Sequence, residues 1–244
     1  MKVKVFNDHE TMSRAAAAAM AREIQKNPRT LLCLATGSSP SRAYELIGKR
    51  AQKSPALCRR VRIVKLDEWE GLDAGDPGSN DAYFSKHVIG PWKLPRGGVA
   101  GFTRGAKNPD AECRRVRAWL ASHGPVDLCV LGLGVNGHLG FNEPASSLPP
   151  FAHRAVLAAQ TQTHSMVRHA AVKPKNGFTL GLAEILQSRE ILLLVSGDAK
   201  RLALQKLLRA EISTELPASL LWLHPNATIL CDRAAAGDGP PPAS

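Results

Sequence analysis

Residues 127–147 read Asp127-Leu-Cys-Val-Leu-Gly132-Leu-Gly134-Val-Asn136-Gly137-His138-Leu-Gly140-Phe-Asn142-Glu143-Pro144-Ala-Ser-Ser147. A short, unbroken apolar run that ends in glycines predicts a strand over 127–133, buried on both faces in a parallel sheet. The backbone then turns at Gly134, Gly137 and Gly140, where small residues let it approach a ligand closely. His138 comes just past the carboxyl end of the strand, where open α/β sheets bind their ligands. A carboxylate fixes the tautomer of a nearby imidazole and raises its basicity, so His138 and Glu143 read as a pair, with Asn136 beside them.

The same stretch contains a formal Gly-x-Gly-x-x-Gly from Gly132 to Gly137. A dinucleotide turn of that pattern opens directly into a helix whose N-terminus meets the pyrophosphate. Here Gly140 and Pro144 stand where that helix would run, which argues against a nicotinamide site.

Helical and extended patterns alternate outward from this strand. Residues 10–26 are Ala-rich and predict a helix, 30–35 a strand, 41–53 a helix and 61–66 a strand. Residues 79–88 and 110–122 read as helices, 154–157 and 178–181 as weaker extended pieces, 190–195 as a strong strand, 199–209 as a helix and 227–231 as a last strand. This alternation predicts an α/β fold: a single open, mostly parallel sheet with helices on both faces, in a Rossmann-like three-layer architecture. Residues 1–233 are expected to form one catalytic domain. The last eleven residues, with three prolines and two glycines, are expected to be a disordered tail, 234–244.

Thirty-two Lys and Arg against twenty-one Asp and Glu give a formal charge of +11, which suits an anionic partner. The basic residues are dispersed, and no zinc finger, helix-turn-helix or RNA-binding signature accompanies them, so a nucleic-acid partner is not expected. No segment reaches the roughly twenty apolar residues of a membrane span, and Met1-Lys-Val-Lys-Val-Phe lacks the apolar core of a signal peptide. No membrane partner and a cytoplasmic location are therefore expected. Five cysteines without Cys-x-x-Cys spacing indicate neither a disulfide framework nor a zinc site, and no metal is expected.

Three further strand ends carry polar chemistry. Thr36-Gly37-Ser38-Ser39-Pro40 passes from a strand into a helix, so the amides of Gly37 to Ser39 can converge on an anion, with hydroxyl help from Thr36 and Ser39. The Lys-Ser/Thr ending of a nucleoside-triphosphate loop is missing, which points to a single phosphate. Asp67 and Glu68 are adjacent at the next strand end, and alternation lets only one of them face a ligand squarely. If that one is partly buried near His138, its pKa can be tuned to abstract a carbon-bound proton. Lys200, in Ser196-Gly-Asp-Ala-Lys200, begins a helix where it can complete the phosphate site.

Taken together these segments resemble the hexosamine-6-phosphate deaminases, also called glucosamine-6-phosphate deaminases or isomerases. The likeness runs from about residue 30 to residue 231. It rests on Ala35-Thr-Gly-Ser-Ser-Pro40, Leu66-Asp-Glu-Trp69, the stretch from Gly132 to Leu148, Ser196-Gly-Asp-Ala-Lys-Arg-Leu-Ala-Leu-Gln205 and Leu221-Trp-Leu-His-Pro-Asn-Ala227, in that order. The resemblance implies ring opening of the sugar, loss of a proton from C2, an enolamine, and expulsion of ammonia to leave a ketose 6-phosphate, without metal, nucleotide or other cofactor. It implies Asp67 as the base for proton transfer between C2 and C1, and His138 with Glu143 as its partner in ring opening. Many members carry Asp where this chain has Asn136; an amide orients the histidine without lending it charge.

For the phosphate, Thr36, Gly37, Ser38, Ser39 and Lys200 match the family's site, and Arg168 is the candidate for its distal arginine. The implied partner is a small-molecule hexosamine 6-phosphate, bound by a monomer or small homo-oligomer. The allosteric basic set of the large regulated members is mostly absent from Pro149-Pro-Phe-Ala-His153-Arg154-Ala-Val156. Val64-Lys-Leu-Asp-Glu-Trp69, Leu131-Gly-Leu-Gly-Val-Asn-Gly-His-Leu-Gly140 and Ser213-Thr-Glu-Leu-Pro-Ala-Ser-Leu-Leu-Trp-Leu-His224 look more like the galactosamine branch than the glucosamine branch. The related 6-phosphogluconolactonases typically show Asp-Glu-Arg for Asp-Glu-Trp and no Asn-Glu-Pro after the histidine, so lactone hydrolysis is the second reading. A sugar-phosphate sensor is the third; regulators of that kind carry a DNA-binding domain ahead of the sugar fold, and fewer than thirty residues precede the first central strand here.

Overall fold

The computed structural model describes residues 1–237 apart from 74–75, 96, 169 and 171. Its strands are β1 (Lys2–Phe6), β2 (Leu31–Leu34), β3 (Arg62–Lys65), β4 (Asp67–Trp69), β5 (Val99–Ala100), β6 (Leu128–Gly132), β7 (His153–Val156), β8 (Asn176–Thr179), β9 (Glu190–Val195) and β10 (Ala227–Asp232). Seven of them form a parallel sheet in the order β1-β10-β9-β6-β2-β3-β5. From β2 the chain builds outward through β3 to β5 and then returns to place β6 on the other side of β2. The crevice between the carboxyl ends of β2 and β6 is thus the switch point of the topology, where loops diverge to opposite faces and leave room for a ligand.

Alternation along the strands builds two cores. Leu32 and Leu34 fall in one core with Met12, Ala16 and Met20 of helix His9–Lys26 and with Ala43, Tyr44 and Ile47 of helix Ser38–Lys53. Leu31 and Cys33 face the other way, into a core with Cys113 and Val116 of helix Pro109–His123 and with Ala203, Leu204 and Leu207 of helix Arg201–Leu207. Removing most of a side chain such as Leu34, which has no exposed surface, costs about 2–5 kcal/mol. The helices start where short polar side chains can accept orphan amides. Thr11 N–H donates to Asp8 Oδ1 at 2.7 Å, Ala111 N–H donates to Asn108 Oδ1 at 3.0 Å, and Pro109 occupies a first-turn position that needs no donor.

The structure adds a three-stranded antiparallel sheet, β4-β8-β7, built from the weaker extended pieces and from the residues after β3. Leu66 joins the two sheets: its N–H donates to Leu34 O at 3.2 Å and its carbonyl accepts Leu180 N–H at 2.9 Å. The expected tail also changes at its start. Residues Arg233–Ala236 form a helical turn capped by Asp232, with Ala235 wholly buried, while 238–244 lie outside the described residues. Among the described residues no helix is long and apolar enough to cross a membrane.

Candidate active site

The loop after β2 turns at Gly37, whose φ of 115° is a conformation that a side chain would strain. The Gly37 carbonyl accepts hydrogen bonds from Ser41 Oγ at 2.7 Å and the Tyr83 hydroxyl at 3.0 Å, which pin the turn. The sixteen-residue helix beginning at Ser38 therefore presents its first amides, which have no intrahelical acceptors, at the mouth of the crevice. From β9, a short 3₁₀ turn over Asp198–Lys200 carries Lys200 to the same place. Burial pushes the Lys200 ammonium below its ordinary pKa. Ser39 Oγ and Ser196 Oγ lie 3.0 Å apart and tie the two loops together.

Asp67 enters where the chain leaves the parallel sheet after Leu66. Strand alternation separates it from Glu68. Asp67 lines the cavity, whereas Glu68 is wholly buried, paired with Lys65 Nζ at 2.7 Å and accepting the N–H groups of Trp69 and Asn80 at 3.1 Å each. Lys65 in turn reaches Asp81 at 2.6 Å, and Asp81 pairs with Arg104 at 2.7 Å. Burial, reinforced by the neighbouring Glu68 charge, pushes the Asp67 carboxyl up to about 7, against the opposing pull of Lys65 and a hydrogen bond from Asn80.

Past β6, Gly134 lies directly against the His138 ring, so a Cβ there would overlap the imidazole. His138 Nδ1 is 3.0 Å from Glu143 Oε2, and Asn136 Nδ2 donates to the same oxygen at 2.8 Å. Burial opposes the Glu143 charge, but hydrogen bonds and attraction from His138, with further bonds from Thr161 and Asn136, outweigh it and hold the carboxyl down at about 2. An ionised carboxylate only accepts, so Nδ1 carries the ring proton of the neutral imidazole and Nε2 is left as the acceptor.

One cavity of about 420 Å³ joins these parts. It is lined by Thr36, Gly37, Ser38, Ser39 and Lys200 and by Asp67 and His138; Arg168, an exposed residue, also borders it. Glu143 and Asn136 do not line it and act on it through His138. Arg154, the basic residue of the 149–156 segment, is paired with Glu70 at 2.8 Å. Among the described residues no group of three or more His, Cys, Asp or Glu side chains is placed to hold a metal ion.

Three residues at the site were not singled out from the sequence, Asn80, Thr161 and His164, and Trp69 was read only as part of the Leu66–Trp69 motif. Asn80 is fully buried and donates to both the Asp67 carbonyl, at 3.0 Å, and Oδ1, at 2.6 Å. Trp69, Thr161 and His164 line the cavity. A polar stretch such as Gln160-Thr-Gln-Thr-His164 carries no periodic signal, and only its placement beside β4 reveals it.

A cavity with a cationic, amide-rich end and a separately poised carboxylate and imidazole can anchor one anion and move protons at a distance from it. That combination defines a sugar-phosphate enzyme of the open α/β class. Residues 7–230 match the family described as glucosamine-6-phosphate isomerases/6-phosphogluconolactonase. "Putative deaminase AgaI" of Escherichia coli (strain K12) is 39% identical over 219 residues, covering 90% of this chain and 87% of that protein. Glucosamine-6-phosphate deaminase 1 of Bacillus subtilis (strain 168) is 37% identical over 245 residues, covering 97% and 98%. A solved monomeric glucosamine-6-phosphate deaminase superposes with a TM-score of 0.92 at 36% identity, covering 97% of this chain and 99% of that one. The chain belongs to the glucosamine-6-phosphate isomerase/6-phosphogluconolactonase family and is an enzyme.

Proposed function

We propose that the protein converts a hexosamine 6-phosphate and water into the ketose 6-phosphate and ammonia, with galactosamine 6-phosphate as the preferred hexosamine. The observation that carries this reading is the buried Asp67 carboxyl, poised at about 7, in the same cavity as His138 and the anion cradle. A group poised near neutral pH serves both to take a proton from carbon and to return it. The names of the relatives support the deaminase chemistry, and the 64–69 and 213–224 segments support the galactosamine preference.

The residues divide the work. The amides of Gly37 to Ser39, the Thr36 and Ser39 hydroxyls, Lys200 and Arg168 hold the 6-phosphate. His138, through Nε2, relays the proton between the anomeric hydroxyl and the ring oxygen as the ring opens. Glu143 stabilises the imidazolium that forms in passing, and Asn136 helps to orient Glu143. Asp67 then removes the C2 proton, electrons move into a C1–C2 double bond and onto the aldehyde oxygen, and that oxygen takes up a proton as the C2 ammonium gives one up, giving the enolamine. Return of the proton to C1 leaves an imine at C2, and water hydrolyses it to the ketone and ammonia. The enzyme acts in the cytoplasm as a monomer or small homo-oligomer, a reading supported by the monomeric state of the solved relative.

Ammonia and ketose release measured on galactosamine 6-phosphate and glucosamine 6-phosphate, with 6-phosphogluconolactone as a third substrate, tests the reading. Ammonia from both hexosamines, faster from galactosamine 6-phosphate, is expected. Lactone hydrolysis without ammonia release would instead place the enzyme with the lactonases.

A further inference from the structure

His164 belongs to the cavity but has no part in the proton transfers above. The Met166 N–H donates to its Nδ1 at 3.3 Å, so the proton of the neutral ring sits on Nε2. Burial, with the positive charge of Lys200 and the nearness of His138 adding to it, holds the ring down at about 4, and it is neutral at pH 7. His164 therefore offers the cavity a donor, where His138, held by Glu143 through the opposite nitrogen, offers an acceptor.

Its position is equally informative. Lys200, His138 and His164 line the same cavity, and the Thr161 hydroxyl, three residues before His164, lies 3.3 Å from His138 Nδ1. The cavity that holds the cradle, Asp67 and His138 is also walled by His164 and Trp69, which leaves them available to the carbons between C1–C2 and the phosphate. Trp69 flanks His164, with ring centroids 6.2 Å apart and planes at 34°. Its buried Nε1–H has no partner among the described residues. Between the two ends of the sugar, C4 is the one centre at which galactosamine and glucosamine differ.

Resting on the deaminase reading, we propose that His164 is a specificity-determining residue: its Nε2–H donates a hydrogen bond to the sugar's C4 hydroxyl, while Trp69 forms the wall beside it. A single proton in a fixed direction suits one C4 epimer and leaves the other unpaired, which is how a binding site discriminates hydroxyl positions.

The test measures kcat/KM for galactosamine 6-phosphate, glucosamine 6-phosphate and a 4-deoxy-hexosamine 6-phosphate. The wild type is compared with His164→Leu, His164→Asn and His164→Gln. In the leucine variant, which lacks a donor, and the asparagine variant, whose amide stops short of the Nε2 position, the ratio between the two epimers should shrink about three- to tenfold. The 4-deoxy substrate should change less than about twofold in the same variants, because the bond in question is already missing. His164→Gln places an amide N–H near the Nε2 position and should keep most of the ratio. Asparagine and glutamine are polar replacements of similar bulk, so the comparison survives if the leucine variant fails to fold. Equal losses on all three substrates, an unchanged ratio, or a wild type that does not distinguish the epimers overturns the proposal alone. A wild type that releases no ammonia from either epimer defeats the deaminase reading, and this proposal with it.

Discussion

Asn80 Nδ2 donates to Asp67 Oδ1 at 2.6 Å, while Asn80 Oδ1 accepts the Thr36 hydroxyl at 3.2 Å. The second bond sets which end of the amide faces the carboxylate, so a fully buried side chain links the wall of the anion cradle to the proposed base. A hydrogen bond to the charged form lowers a carboxyl pKa, and a bond of this kind is worth about 1.5–3 kcal/mol. Asn80→Ala is therefore expected to raise the Asp67 pKa further. Turnover at pH 7 should fall about tenfold and largely recover above about pH 9, as the carboxyl ionises. A pH–rate profile checks this, and a loss of the same size at every pH would assign Asn80 some other role.

Asp67 itself couples activity to stability. Its folded pKa of about 7 lies above the ordinary value of 3.8, so the folded state holds an extra proton between those limits. The stability it contributes is fully present below pH 3.8 and is lost as pH rises through 7. Asp67→Asn, neutral throughout, should then be more stable than the wild type at pH 8 by on the order of 2–4 kcal/mol, with no gain below pH 3.8. The same variant should lose at least roughly a hundredfold in turnover, since an amide cannot accept the proton. Urea unfolding at the two pH values reads the first effect, and equal midpoint shifts at both would contradict it.

Gly134→Ala should act through His138 alone. The added methyl overlaps the imidazole and displaces it from Glu143. Loss of a general acid/base group costs about a hundredfold or more in kcat, whereas the anion cradle is untouched and affinity for a sugar-phosphate analogue should stay within about twofold. Gly105→Ala, where nothing lies within 4 Å of the new Cβ, is the control. A variant that binds weakly but turns over normally would show that the His138 position matters for binding and not for ring opening.

Lys200→Ala separates anchoring from chemistry. A charge-assisted bond to phosphate is worth about 1.5–3 kcal/mol, so kcat/KM should fall ten- to a hundredfold, mainly through KM. The non-phosphorylated amino sugar should be a poor substrate for both forms, and the mutation should hardly change it. Equal harm to both sugars would remove Lys200 from the phosphate site.

Much of this site can be read in the sequence because each of its loops follows a strand with a strong apolar signature. The 127–133 and 190–195 runs place His138 and Lys200 at the same edge, and the 30–35 run does so for Thr36 to Ser39. What escaped depends on tertiary contact. Strand β1 alternates Lys2-Val-Lys-Val-Phe6 as an edge strand, a weak signal beside the apolar central strands, and it becomes definite only when paired with β10. The β4-β8-β7 sheet is made of pieces of three and four residues, too short to show a period. That sheet nevertheless decides which of Asp67 and Glu68 faces the cavity. Asn80 and His164 reach the site from a short helix and a polar loop, where residue type alone does not distinguish a buried partner from a solvated one.

Tracing the C2 hydrogen tests the proposed chemistry most directly. Galactosamine 6-phosphate deuterated at C2 is incubated with the wild-type enzyme in ordinary water, and ammonia release and the isotope content of the ketose 6-phosphate are followed by NMR. Proton abstraction by the shielded Asp67 carboxyl predicts slower ammonia release from the deuterated sugar than from the protium form. It also predicts that only part of the deuterium arrives at C1 of the product, the rest being exchanged into water from the carboxyl. Complete transfer of the deuterium from C2 to C1 with no exchange into water at any stage, the mark of a hydride shift, or no ammonia from either hexosamine 6-phosphate, would contradict the proposed mechanism.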